Sequence, residues 1–214
     1  VIQRAAIAGL LLAATLLAAL PAAAQECQVK LGRGWPPATA NYGGAVEQLF
    51  NGPAPPVLSL LWLPSSGKET GLALIQGAEG APWTLRYSEA DERVYRWSGN
   101  ALVLQTEQTP EQESVPIPAA LGQLLLKVWG DALRQSVPST VAASFHEGSV
   151  LSAVVDGVRF SGPLPDCGPA ERILRQAELL IEASGEKESK RERRWSQLDT
   201  SLQELQRSLA GQGG

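Results

Sequence analysis

The sequence predicts an α+β protein: an antiparallel β-sheet packed on one central amphipathic helix, followed by a C-terminal helical tail with a coiled-coil-type seam. Three observations predict it. Residues 117–135 carry Ile117, Leu121, Leu124, Leu125, Val128, Ala132 and Leu133 at three- and four-residue steps, so these side chains share one helical face. Gln123, Lys127, Asp131 and Arg134 take the other face. Short apolar or alternating segments bounded by glycine and proline lie on both sides of that helix, and a half-buried sheet needs such a stripe to cover it. From Leu174 onward a second apolar phase, at steps of three and four, runs to Leu209.

In chain order, residues 1–24 read as a secretory signal peptide. Arg4 is the only charge before Glu26, residues 5–20 are an alanine/leucine run, and Pro21 ends it ahead of Ala22-Ala23-Ala24. Small residues at Ala22 and Ala24 suit signal peptidase, so cleavage is expected after Ala24. The competing reading is an uncleaved anchor, because the run is almost long enough to span a bilayer. Glu26 before Cys27 disfavours lipidation. The sequence holds no methionine, and Val1 reads as a non-standard bacterial start codon. The expected destination is the periplasm or the exterior, with the membrane met only during export.

An exported chain gives its cysteines a particular meaning. Cys27 and Cys167 are the only two, neither is in a CxxC motif, and in an oxidising compartment the expected product is a disulfide. Free thiols or an intermolecular bridge are the alternatives.

Residues 25–168 form the expected α+β domain. Residues 28–56 are rich in proline and glycine, with a short helix at 45–50. Strands follow at 57–63, 71–76, 83–88, 94–97 and 102–105, read as an antiparallel meander. The polar, acidic stretch 106–115 reads as a solvated loop leading into the central helix. After the helix come strands at 141–145, 150–155 and 158–161. Asp156-Gly157 between the last two is a strong hairpin signal, because both turn positions want positive φ.

Residues 169–214 form the helical tail. Pro169 and Glu171 suit a helix start. Trp195, Leu198, Leu202, Leu205 and Leu209 make a heptad seam, but Ser184, Glu188 and Arg191 interrupt the phase and Gly185 lies beside them. The tail is therefore one helix with a weak waist or two helices joined near Gly185. Its seam serves either partner docking and self-association or packing back on the body.

The net charge of −4 argues against a nucleic-acid binder. One histidine and two cysteines leave little for a metal site, and no cofactor motif is present. Ser65-Ser66-Gly67-Lys68 has the serine-x-x-lysine spacing of an activated nucleophile, yet it lies in a Pro/Ser/Gly turn. Gly67-Lys68 fails as a phosphate loop because Glu69 stands where a hydroxyl is needed. His146-Glu147 lacks the second histidine of a zinc protease. Glu89, Asp91 and Glu92, and Glu111 with Glu113, are acidic clusters of the kind a glycosidase uses only when they face each other across a cleft. Lys187, Lys190, Arg191, Arg193 and Arg194 are interleaved with glutamates, as on a soluble helix face. No coherent catalytic set emerges.

Of six tryptophans, Trp62, Trp83 and Trp129 fall in core elements. Trp35 and Trp97 lie near turns, where an indole can stack on a sugar or a partner, and are the candidate ligand-binding residues. Trp195, Leu198, Leu202, Leu205 and Leu209 are the candidate partner-binding residues. The sequence thus predicts a non-enzymatic bacterial envelope protein. It binds another envelope protein or its own copy through the tail seam; the alternative is a small-ligand or glycan binder, and a hydrolase ranks below both.

Overall fold

The structure, a computed structural model, describes Cys27 and residues 30–52 and 54–211. The expected signal peptide lies outside the described residues. Strand β1 (Gly32–Arg33) leads through a 3-10 turn (Pro37–Thr39) into helix α1 (Ala40–Phe50). Strands β2 (Leu58–Leu63), β3 (Thr70–Ile75) and β4 (Trp83–Glu89) follow, then β5 (Tyr95–Ser98), β6 (Ala101–Leu104) and β7 (Glu111–Ile117). Helix α2 (Ala119–Ser136) is next, then β8 (Val150–Val155), β9 (Val158–Pro163), α3 (Gly168–Gly185) and α4 (Glu188–Gly211).

Seven strands form one antiparallel sheet in the order β1-β9-β8-β2-β3-β4-β7. The chain is therefore α+β, with a large antiparallel sheet packed on helices. Helices α2, α3 and α4 cover one face. Leu60, Leu74, Leu85 and Ile117 from the sheet meet Leu125, Val128, Trp129, Ile173 and Ala177 in a single apolar core. Gly122 of α2 lies flat on the Trp83 indole, and a Cβ there would come within 2.7 Å of the ring. The other face is covered in part by α1, where Tyr42, Val46 and Phe50 meet Leu61, Leu63, Val94 and Val150. Successive residues of a strand point to opposite faces. That is why Leu60 and Leu61 belong to different clusters, and why β2 is apolar on both faces apart from the buried Ser59.

Besides α1, which starts at Ala40 rather than at residue 45, and β1, which lies in a stretch expected to be irregular, the expected elements differ from the observed ones in four places. Residues 94–97 and 102–105 do form strands, but β5 and β6 pair only with each other and leave the main sheet. The sheet is continued instead by β7, from the stretch expected to be a loop. Glu111, Gln112, Glu113 and Ser114 are exposed and only Val115 and Ile117 are buried, the pattern of an edge strand that keeps charges and a proline against unwanted pairing. Ile117 closes this strand, so the central helix starts at Ala119. Residues 141–145 form no strand; they make one parallel bridge, Arg33 to Ala142, with backbone bonds of 2.7 and 2.8 Å.

The tail is two helices, and both belong to the main core. Ala170, Ile173, Ala177 and Leu180 of α3 and Leu198, Leu202, Leu205 and Leu209 of α4 are buried there, α4 packing on both α2 and α3. Arg191 fixes the turn between them, its Nε and Nη2 donating to the carbonyls of Ala183 (3.1 Å) and Glu186 (2.6 Å). Arg194 bridges to Glu182 (2.9 Å) and Glu186 (3.1 Å). Two of the five cationic residues of the 187–194 cluster are thus spent on the bend.

Cys27 and Cys167 are disulfide-bonded, with Cα atoms 5.7 Å apart across 140 residues of sequence. Closing so long a loop restricts the unfolded chain by about 5 kcal/mol on the loop-entropy model. Cys167 precedes α3, which starts with Pro169 in its first turn. Gly168 has φ +70°, and a Cβ on it would stand 2.8 Å from the Cys27 sulfur, so both backbone and bridge require glycine.

Candidate functional site

The feature that stands out from the packed body is the β5–β6 ribbon. Its register sets Tyr95 against Leu104 and Trp97 against Leu102, and a turn at Gly99 (φ +62°) joins the strands. Alternation puts Tyr95, Trp97, Leu102 and Leu104 on one face. Tyr95 and Leu104, nearest the body, pack on the smaller core. Trp97 and Leu102, one pair further out, are 61% and 43% exposed. The apolar stripe thus begins in the interior and continues into solvent. Tyr42, Tyr95 and Trp97 make an aromatic file, with ring centroids 5.0 Å and then 6.3 Å apart.

A buried carboxylate holds the arm. Glu69, at the turn into β3, is fully buried. Its Oε1 accepts the Tyr42 hydroxyl at 2.5 Å and the Tyr95 N–H at 3.3 Å, and its Oε2 accepts the Val94 N–H at 2.8 Å. A buried carboxylate persists only with its lone pairs satisfied, and these donors do so at the root of the arm. The Tyr42 hydroxyl is held protonated well above the usual tyrosine range, by burial first and then by its bond to Glu69. Arg93 adds a brace, its Nη2 donating to the carbonyls of Ser65 (2.8 Å) and Pro64 (3.3 Å) while its guanidinium lies 5.7 Å from the Tyr95 ring.

Trp35 lies elsewhere. Its indole is half-buried against Gly43 of α1 and covers the Arg159 guanidinium at 4.3 Å. Arg159 in turn donates to Glu47 at 2.6 and 2.9 Å and to Ser152 at 2.9 Å. Trp35 shields this ion pair from water. Trp195 is half-buried beside Pro82, Pro116 and Pro118 in a shallow groove of about 350 Å³. Leu198, Leu202 and Leu205 have no exposed surface and Leu209 almost none. Any association through these four leucines requires α4 to leave α2 and α3.

The remaining candidate chemistry is dispersed or engaged. Lys68 pairs with Glu89 at 3.7 Å, while the Ser65 N–H donates to the Ser149 hydroxyl at 3.1 Å. The His146 Nε2 is 2.7 Å from the Ser149 carbonyl, so that nitrogen carries the proton and the ring is held by the backbone. Glu89 and Glu111 face each other in register on β4 and β7 at the sheet end. Glu113 accepts the Ser184 hydroxyl at 3.3 Å. Among the described residues no cluster of three or more histidine, cysteine or carboxylate side chains is placed to hold a metal ion. No helix among them is long and apolar enough to cross a membrane.

Glu69 and Tyr42 are what the sequence reading missed. Nothing local distinguishes Glu69 from a solvated residue before a strand; only the return of residues 94–95 from across the fold makes it an anchor. No family model, no curated protein and no solved structure matches this chain.

Proposed function

We propose that this chain is an exported, non-enzymatic protein of the bacterial envelope that acts by binding another protein, with the β5–β6 arm as its contact surface. The observation that carries this reading is the Trp97–Leu102 pair, exposed in register on a ribbon whose root is fixed by a buried carboxylate. Exposed tryptophan on a rigid support is the usual anchor of a protein interface. The outer edges of both strands are also unpaired within the described residues, which suits a partner that adds a strand. The Cys27–Cys167 bond supports an oxidising destination, periplasmic or secreted. The chain's own α2 and α3 occupy the leucine seam of the tail, so the arm is the better-supported surface.

A photo-crosslinking residue placed at Asn100, in the turn at the tip of the arm beside the Trp97–Leu102 pair, tests this in intact cells. It should give one discrete adduct that disappears when Trp97→Ala and Leu102→Ser are added. An adduct that survives both changes, or none at any arm position, refutes the arm as the contact. The glycan reading is carried by the same exposed indole. It predicts that envelope glycans shift Trp97 fluorescence; small-ligand sites are concave and this arm projects, which favours a protein partner.

A further inference from the structure

The outer surface of the α3–α4 hairpin carries a groove of about 560 Å³, lined by Arg172, Arg175, Ser201, Glu204, Arg207 and Ser208. Every lining side chain is polar, and three guanidiniums stand against one carboxylate on a chain whose net charge is −4. Arg175 is engaged by Glu171 at 2.5 Å. Arg172 and Arg207 have no ion-pair partner among the described residues, and Glu204 lies beyond 4 Å from every guanidinium nitrogen of the groove. Cations and anion therefore line a shared space without closing on each other.

The floor of this groove is wired to the core. The Trp129 indole N–H donates to the Gln176 Oε1 at 2.7 Å, and the Gln176 amide donates to the Ser201 hydroxyl at 3.0 Å. Gln176 has no exposed surface. Both its polar atoms are used, so its orientation, and with it the acceptor role of Ser201, is fixed. Ser201 then has a proton of its own to donate. Ser196 and Thr200 on the same helix give theirs to carbonyls one turn back, at 3.1 and 3.0 Å. Ser201 makes no such bond among the described residues, leaving its hydroxyl to donate into the groove beside the guanidiniums of Arg172 and Arg207; of these, Arg207 gives only its Nε–H, to the Gln203 carbonyl at 3.4 Å.

We propose that the groove between α3 and α4 is a binding site for a phosphate-class oxyanion, held by Arg172 and Arg207 and oriented by the Ser201 hydroxyl. Planar guanidiniums and a hydroxyl donor match the oxygens of such a group, and charge-assisted bonds to it are the strong ones. Glu204 in the lining sets an upper limit on affinity and disfavours a second anion. The site is separate from the β5–β6 arm and stands or falls independently of it.

The full mature chain is titrated with inorganic phosphate while the Ser201 amide and the arginine Nε–H resonances are followed by NMR, with chloride at matched ionic strength as control. Phosphate is expected to shift Ser201, Arg172 and Arg207 saturably. Arg172→Ala with Arg207→Ala should weaken binding at least about ten-fold, and Glu204→Gln should tighten it roughly three-fold. Both changes are on exposed side chains, and Glu204→Gln gives a gain that misfolding does not mimic. Phosphatidylcholine vesicles with and without phosphatidylglycerol separate the sources. Retention on the anionic vesicles alone, lost in the double variant, marks a lipid headgroup; saturable shifts with free phosphate mark a soluble ligand. No shift and no retention, equal shifts with chloride, or undiminished binding by the double variant overturns the proposal.

Discussion

Replacing Glu69 is the most direct test of how the arm is held. Glu69→Ala removes the acceptor of three donors in a site closed to water: the Tyr42 hydroxyl and the N–H groups of Val94 and Tyr95. A buried donor left without a partner costs about 1–3 kcal/mol. The 3.3 Å bond from Tyr95 belongs at the bottom of that range and the other two near its middle. The expected loss is about 5 kcal/mol, which in a chain of this size lowers Tm by about 15 °C. Glu69→Gln is milder. Its oxygen can face Val94 while its amide donates to the Tyr42 oxygen, so the Tyr95 N–H is opposed by another donor and the Tyr42 proton loses its acceptor. The cost should be about 1–3 kcal/mol. Chemical denaturation gives the ranking, and amide hydrogen exchange gives the location: Val94 and Tyr95 should lose protection first, well before the amides of β2 and β3. If Glu69→Ala costs less than 1 kcal/mol, or those two amides stay as protected as in the parent chain, the carboxylate does not anchor the arm.

Two further outcomes follow from the packing of the helices and the burial of two tyrosines. Leu202 has no exposed surface in the α2–α3–α4 layer, so Leu202→Ala should destabilise the isolated chain by about 2–5 kcal/mol without changing its mass in solution; an unchanged melting curve together with a changed oligomeric state would place the seam between molecules. Tyr42 and Tyr87 both titrate above the ordinary tyrosine value of about 10, Tyr87 pushed up to about 12 by burial and then by the neighbouring Glu89. The folded state thus binds these protons more tightly than the unfolded chain does. Their contribution is complete below about pH 10 and is lost as the pH rises through the folded values. Tyrosinate absorbance should show Tyr42 ionising together with unfolding; a rapid, reversible Tyr42 step in the folded protein contradicts its burial.

The elements that were legible in the sequence are those whose side chains alone define them. β2 is apolar but for Ser59, α2 carries its stripe, and Asp156-Gly157 takes up φ values of +50° and +73° as a two-residue hairpin asks. β7 was illegible for the converse reason. Its exposed Glu111, Gln112, Glu113 and Ser114 have the composition of a loop, and only the ladder to β4 makes them a strand. Residues 141–145 err the other way: Val141 and Phe145 are apolar yet 43% and 61% exposed, because no neighbouring strand runs alongside beyond Arg33. The tail seam was visible as a stripe, but heptad spacing is common to a coiled coil and a helical hairpin, so its partner was not. On the arm, the turn position of Trp97 hinted at exposure, while the buried root was invisible because Tyr42, Glu69 and Val94 meet only after folding.

The order of strands in the main sheet has a consequence for the nascent chain. The last two strands to be synthesised, β8 and β9, lie between the first two, so β1 touches the sheet only through β9. Until residues 150–163 emerge from the ribosome, Leu58–Leu63 presents a bare flank of unpaired backbone and leucine, the kind of edge that recruits neighbouring chains. The late hairpin is the keystone of the arch. A fragment cut before Val150 is therefore an adhesive half-sheet that a holding chaperone must shield.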